Sequence, residues 1–249
     1  MKVGIAAFVA GFVGAAGVLL FFIAFGTDYW LLATENCKTI IAIADKQSQV
    51  GVIKEGEPVR AHDKNAITFH HEGFFWRCWF IEDASKDSIW SFWFTSQPRS
   101  KSCNHGYLFP MPIAIAPVPH PSYDGTAVYR GFWTAFIIVA IAASVLGGFL
   151  LVCAVPFVSA SLYKAGGACL ITAGVLFSLL ISLFVIWKEL AADLTKYILL
   201  ERSEGCVDTV PYVQYGWSFM FAASGIPLTL LSGILFYVIG RSIQGSQNK

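Results

Sequence analysis

Thr68-Phe69-His70-His71-Glu72-Gly73-Phe74-Phe75-Trp76-Arg77-Cys78-Trp79-Phe80 gathers six aromatic residues around a single cysteine. Aromatic density at this level suits a strand, because flat side chains pack well on a pleated, half-buried surface. Glu72-Gly73 in the middle predicts a turn or a bulge. Outward from this stretch the chain changes character, and the change is one of charge.

The chain has 249 residues, 56% hydrophobic and only 13% charged, with a mean hydropathy of +0.61. A soluble domain is about 25% charged. All sixteen acidic residues fall in two windows, Asp28 to Asp124 and Glu189 to Asp208. Such segregation is a compartment pattern. The net charge is +1, and no basic cluster is interleaved with aromatics, which excludes a nucleic-acid partner.

The acid-free regions hold four apolar runs, predicted as membrane spans at about residues 3–25, 132–155, 165–187 and 215–240. About 20 helical residues cross a hydrocarbon core of roughly 30 Å. The first run exceeds the 7–15 residue core of a cleaved signal peptide, so it reads as a retained helix. Ala7, Gly11, Gly14 and Gly17 recur along it at helical spacing, which permits close helix contact. Asp28-Tyr29-Trp30 marks its exit, with the aromatic pair suited to headgroup depth. Pro156 ends the second run, and Pro227 is expected to kink the fourth.

Between the spans lie a large loop (26–131), a short loop (156–164), a small loop (188–214) and a polar tail (241–249). In the large loop, Ser88–Phe94 alternates with period two and reads as a second strand. Lys38–Asn65 carries no assignable fold, and the proline-rich segment from Pro110 to Pro121 is extended. Lys2, Lys164, Arg241 and Lys249 share one side of the predicted membrane with no acid beside them. Excess Lys and Arg in short loops marks the cytoplasm, so both termini are expected inside and both acid-bearing loops outside.

Of six cysteines, Cys37, Cys78, Cys103 and Cys206 fall in the outer loops. Four cysteines in an oxidising compartment imply two disulfides, with three connectivities open. Cys78–Cys103 would staple the aromatic strand to its neighbour, and Cys37–Cys206 would tie the two loops together. Cys153 and Cys169 lie in or near spans. Cys153 suits palmitate or, more simply, a buried structural role.

His70-His71-Glu72 invites a metal, but adjacent strand residues face opposite ways and a zinc site needs three or four convergent ligands. No metal or cofactor is expected. No G-x-S-x-G, P-loop or H-E-x-x-H occurs, and the spans hold no interior Asp, Glu, Lys, Arg or His to serve as a proton or ion path. The reading is therefore non-enzymatic, with no small-molecule substrate. The expected fold is a membrane α-helical one, a left-handed four-transmembrane-helix bundle capped by a small extracellular antiparallel β-sheet. Phe74, Phe75, Trp76, Trp79, Trp90 and Trp93 are candidate partner-binding anchors, against the alternative that most of them pack the sheet itself.

Four spans, a large first loop and an aromatic-Trp-x-Cys strand resemble the claudin and peripheral-myelin-protein superfamily, which includes the epithelial membrane proteins. Its signature maps onto Trp30, then Gly73-Phe74-Phe75-Trp76 with Cys78, then Cys103 as partner cysteine, and Arg130 at the head of the second span. Phe75 stands where leucine is usual, and the two cysteines are farther apart. Within that superfamily a closer resemblance covers most of the chain. It is carried by residues 25–35, Thr68–Phe80, Tyr129-Arg130-Gly131-Phe132-Trp133, Leu162-Tyr163-Lys164-Ala165-Gly166-Gly167 and Tyr215-Gly216-Trp217-Ser218-Phe219.

That resemblance implies a plasma-membrane protein of muscle and fat that restrains myoblast differentiation and fusion, with β1 integrin as partner. It would also imply loop N-glycosylation, yet none of Asn36, Asn65, Asn104 or Asn248 opens an N-x-S/T sequon. Two other readings compete: a claudin-like junction protein that self-associates, and an auxiliary subunit of an ion channel. The tail Ser246-Gln247-Asn248-Lys249 lacks the hydrophobic C-terminal residue that scaffold domains capture, which weighs against the junction reading.

Overall fold

The computed structural model describes residues 2–36, 66–83, 102–105, 125–191 and 212–247. It divides into two compact units, one of Met1–Thr27, Ser122–Ala192 and Ser218–Lys249, the other of Asp28–Pro121 and Asp193–Trp217.

The first unit is helical: α1 (Lys2–Gly26), α2 (Gly125–Phe157), α3 (Ala160–Ile186, ending in a π-helical turn, Trp187–Ala191) and α4 (Trp217–Gln247). All four are long and apolar enough to cross a membrane. Large apolar side chains point outward, Phe8 at 76% exposure and Val152 at 72%, while Ala10, Ala24, Ala140 and Ala173 are buried. That inversion suits a bilayer, where lipid solvates leucine as well as protein does and small residues bring backbones together.

Three helix seams are built on glycine pairs. A Cβ on Gly17 of α1 would fall 3.0 Å from the Thr229 amide and 3.1 Å from the Gly225 carbonyl of α4. Gly167 of α3 meets Gly233 of α4, and Gly147 of α2 meets Gly166 of α3. Around Phe21, α1 meets aromatic packing instead, with Phe177 of α3 stacked at 3.7 Å. Hydroxyls add to the α1–α4 seam: Ser232 Oγ donates to the Ala10 carbonyl at 2.7 Å, and Thr27 and Ser218 hydroxyls meet at 2.7 Å. Other hydroxyls, including those of Ser144, Thr172, Ser182 and Ser224, donate to the carbonyl four residues back, so none of these donors is bare in an apolar setting.

The helices outrun the sequence expectation. α2 begins at Gly125 and runs past Pro156 to Phe157, and α4 carries Arg241 to Gln247 as helix, not as a loose tail. The link between α2 and α3 shrinks to Val158-Ser159. Val158 adopts φ 45°, a left-handed conformation that a β-branched side chain resists. Val158→Gly removes that conflict and should raise stability by about 0.5–1 kcal/mol, a net figure because glycine also loosens the unfolded chain. Thermal melting in detergent would read this as a higher midpoint.

The second unit is a five-stranded antiparallel sheet in the order β4-β3-β2-β1-β5. Its strands are β1 (Leu31–Asn36), β2 (Ala66–Glu72), β3 (Trp76–Asp83), β4 (Ser102–His105) and β5 (Tyr212–Tyr215). Thr68–Phe80 is therefore a hairpin. Glu72 ends one strand and Trp76 begins the next, and the Gly73 N–H donates to the Trp76 carbonyl at 2.9 Å. Tyr215, expected at the start of the fourth span, closes β5 instead, because its backbone completes the ladder to Leu31. The expected strand Ser88–Phe94, the segment Lys38–Asn65 and the proline-rich stretch lie outside the described residues.

Candidate functional site on the five-stranded sheet

Directly paired residues of neighbouring strands share a sheet face. The ladder places Gln214, Leu32, His71, Cys78 and Cys103 in one row across all five strands. Two residues along, Thr34, Phe69 and Phe80 form a parallel row, and Leu32, Phe69 and Phe80 make an apolar cluster with Tyr29 against it. The polar members of the first row are thus set into an apolar face.

His71 is fully buried. Its Nδ1 lies 3.2 Å from both Asp28 Oδ2 and the Asp28 backbone oxygen. Both neighbours accept hydrogen bonds, so Nδ1 is the nitrogen that carries a proton. Tyr29 stacks on the imidazole at 4.4 Å with parallel planes, and also on Trp217 at 5.0 Å. Burial, and then the Asp28 charge, push the Tyr29 hydroxyl above its ordinary 10.0. Cys78 Sγ sits 3.4 Å from Asp28 Oδ2 and is joined to Cys103 by a disulfide.

Asp28, His71 and Cys78 bring one ligand atom each within 4.8 Å of one another. The sulfur, however, is committed to Cys103, and a disulfide sulfur is not a thiolate donor. Two remaining ligands fall short of a tetrahedral zinc site. The cluster is a buried polar network beside a disulfide, with no nucleophile among its described members.

Gly73–Phe75 forms the turn at one end of the sheet, and here the aromatic residues divide. Phe75 is 39% exposed and Trp76 47%. Phe74 is 1% exposed and meets Trp30 edge-on at 4.6 Å. The assignment of Phe74 as a partner-binding anchor is thereby corrected: its ring fills the core and has no free face. Trp30, expected at headgroup depth, is 1% exposed and belongs to the same core. Its N–H donates to the Glu72 carbonyl at 2.8 Å and its carbonyl accepts from the Gly216 N–H at 3.0 Å, extending both ladders by one residue.

The side chains of Trp79 and Arg130 lie outside the described residues, as do Trp90, Trp93, Cys37 and Cys206. Cys153 and Cys169 are free thiols, partly buried in the helical unit. Sequence reasoning missed Asp28 and His71 as partners. The available signal was parity: His71 is two residues from Phe69 and therefore shares its face, and a polar residue on an apolar face needs a partner.

The model of the PMP-22/EMP/MP20/claudin tight-junction family matches residues 15–238. A human protein named transmembrane protein 182 is 45% identical over 248 residues, covering 98% of this chain and 99% of that one. Its mouse namesake is 44% identical, over 98% of this chain and 99% of the relative. The zebrafish (Danio rerio) protein of that name is 40% identical across the full length of both. Four membrane-length helices, a small antiparallel sheet with Trp30 in its core and the Cys78–Cys103 disulfide agree with these matches, and the chain is a multi-pass membrane protein that belongs to the PMP-22/EMP/MP20/claudin family.

Proposed function

We propose that the protein is a non-enzymatic regulator in the plasma membrane, with both termini cytoplasmic. It binds an adhesion receptor laterally through the turn between β2 and β3 and restrains myoblast differentiation and fusion. The observation that carries the binding reading is the exposure of Phe75 and Trp76, at 39% and 47%, beside a well-packed Phe74–Trp30 core. Exposed large aromatics on a rigid turn supply anchor area at little entropic cost. The partner class, β1 integrin, and the muscle setting rest on the resemblance to the proteins named transmembrane protein 182. Orientation is supported by Lys164 Nζ donating to Gln244 Oε1 at 2.8 Å, which brings the basic α2–α3 turn and the end of α4 to one end of the bundle.

The test is co-purification in mild detergent from differentiating muscle cells after surface crosslinking. Recovery of β1 integrin should fall at least about fivefold for Phe75→Ala with Trp76→Ala, the size of losing one or two interface anchors. Surface levels should match wild type, and the double variant should fail to restrain fusion in depleted cells. Recovery of only further copies of the chain, or of a channel subunit, would overturn the integrin reading in favour of a junction or auxiliary-subunit role.

A further inference from the structure

We propose that the Cys78–Cys103 disulfide is a thiol-exchange site, attacked at Cys103 Sγ by an external thiolate and released at Cys78 beside the Asp28–His71 pair. This stands independently of the adhesion reading.

The two sulfurs are not equivalent. Cys103 is exposed on β4, the edge strand among the described residues, whereas Cys78 is 3% exposed inside the sheet. A thiolate arriving from solution reaches only the first, and in exchange the sulfur not attacked becomes the leaving group. The leaving sulfur is thus the one 3.4 Å from Asp28 Oδ2, which in turn lies 3.2 Å from the protonated Nδ1 of His71. A bare thiolate in this buried setting, next to a carboxylate, is costly. A proton within reach removes that cost, and the resulting Cys78 thiol donates to Asp28. Tyr29, stacked on His71, is the other titratable group packed on the pair, and Phe80 meets the imidazole edge-on.

The step balances. The incoming RS⁻ bonds to Cys103 Sγ, the Cys78–Cys103 bond breaks, and its electron pair passes to Cys78 Sγ. That sulfur takes the Nδ1 proton of His71 in its imidazolium form, relayed by Asp28 Oδ2; His71 is left neutral with its remaining proton on Nε2, and water resupplies the proton. The products are a mixed disulfide on Cys103 and a thiol on Cys78. With a dithiol reductant, its second thiol attacks its own sulfur in the mixed disulfide. Cys103 leaves as a thiol and the reductant becomes a disulfide, two electrons and two protons having moved to the protein. β4 is only Ser102–His105 and pairs with β3 alone among the described residues, so opening the bond leaves this edge strand held by a four-residue ladder. Exposed disulfides are the labile, regulatory ones.

The test uses the full chain in lipid nanodiscs, treated with reduced glutathione or with reduced thioredoxin, followed by alkylation and peptide mapping. Glutathione should leave a glutathionyl group on Cys103 and an alkyl group on Cys78; thioredoxin should leave both alkylated. Reaction with one reductant alone supports the site and identifies its source. Asp28→Asn should slow opening at least about a hundredfold, the low end for loss of an acid–base group, and change the shape of its pH profile. His71→Gln should do the same, and serves alone should Asp28→Asn fail to fold. Attack mapped to Cys78 would overturn the proposal. So would inertness to both reductants where a solvent-exposed control disulfide opens, or wild-type rates and profiles in every folded variant.

Discussion

Gly167→Leu should abolish delivery of the protein to the cell surface. A Cβ at this position of α3 would lie 2.7 Å from the Gly233 carbonyl and 2.7 Å from the Tyr237 amide of α4. Both obstacles are backbone, so no rotamer change clears them. The opposing Gly233 is equally tight against α3, its Cβ falling 2.9 Å from both the Gly167 carbonyl and the Ile171 amide. Leucine adds three further carbons, and the two helices must part. Overpacking a core costs about 1–3 kcal/mol when side chains can yield; here they cannot, and the neighbouring Ser232–Ala10 hydrogen bond between α4 and α1 depends on the same helix position. Gly148→Leu is the matched control, since nothing lies within 4 Å of a Cβ there. Surface biotinylation should show near-complete loss for the first and wild-type levels for the second. Equal delivery of both would mean that the α3–α4 seam is not closed on glycine.

The four helices were legible because lipid imposes a one-dimensional rule: a long apolar run must satisfy its own backbone, and helix is the way a single segment does so. Gly14 and Gly17 were legible for the same reason, as small residues at helical spacing. Aromatic density exposed the strand character of Thr68–Phe80, but whether Glu72-Gly73 is a turn or a bulge is settled by the β2–β3 register, which sets Glu72 opposite Arg77. β1 and β5 escaped notice because Leu-Leu-Ala-Thr-Glu-Asn and Tyr-Val-Gln-Tyr carry too little pattern to stand out; partners across the sheet make them strands. The helices extend beyond the expected spans at Gly125–Gly131 and Arg241–Gln247: these segments are not apolar, and hydropathy reports the lipid-facing part of a helix, not its hydrogen bonds. Parity marks His71 as a residue that needs a partner, but the contact with Asp28 spans 43 positions, so a local reading does not name that partner.

Trp30→Ala should unfold the sheet unit while Trp30→Phe preserves it. Trp30 sits next to the start of β1, and its backbone bonds both neighbouring ladders through Glu72 and Gly216. Its ring is 1% exposed and meets Phe74 edge-on at 78°. Truncating a buried tryptophan costs about 3–5 kcal/mol, as much as the whole stability of many small domains. Phenylalanine keeps an edge-to-face contact and much of the buried area, so its loss should stay near 1–2 kcal/mol by the same reasoning. Limited proteolysis in nanodiscs reads the difference: the Ala variant should be cut within residues 66–83 under conditions that spare that segment in wild type and Phe. Phe74→Ala should be less than additive with Trp30→Ala by about 0.5–1.5 kcal/mol, the worth of an aromatic pair beyond its area. Full additivity would separate the two rings energetically. Coupling would explain why a tryptophan just past the first span and an aromatic turn some forty residues later occur together: they are two halves of one contact, and they hold Phe75 and Trp76 in place on the turn they share.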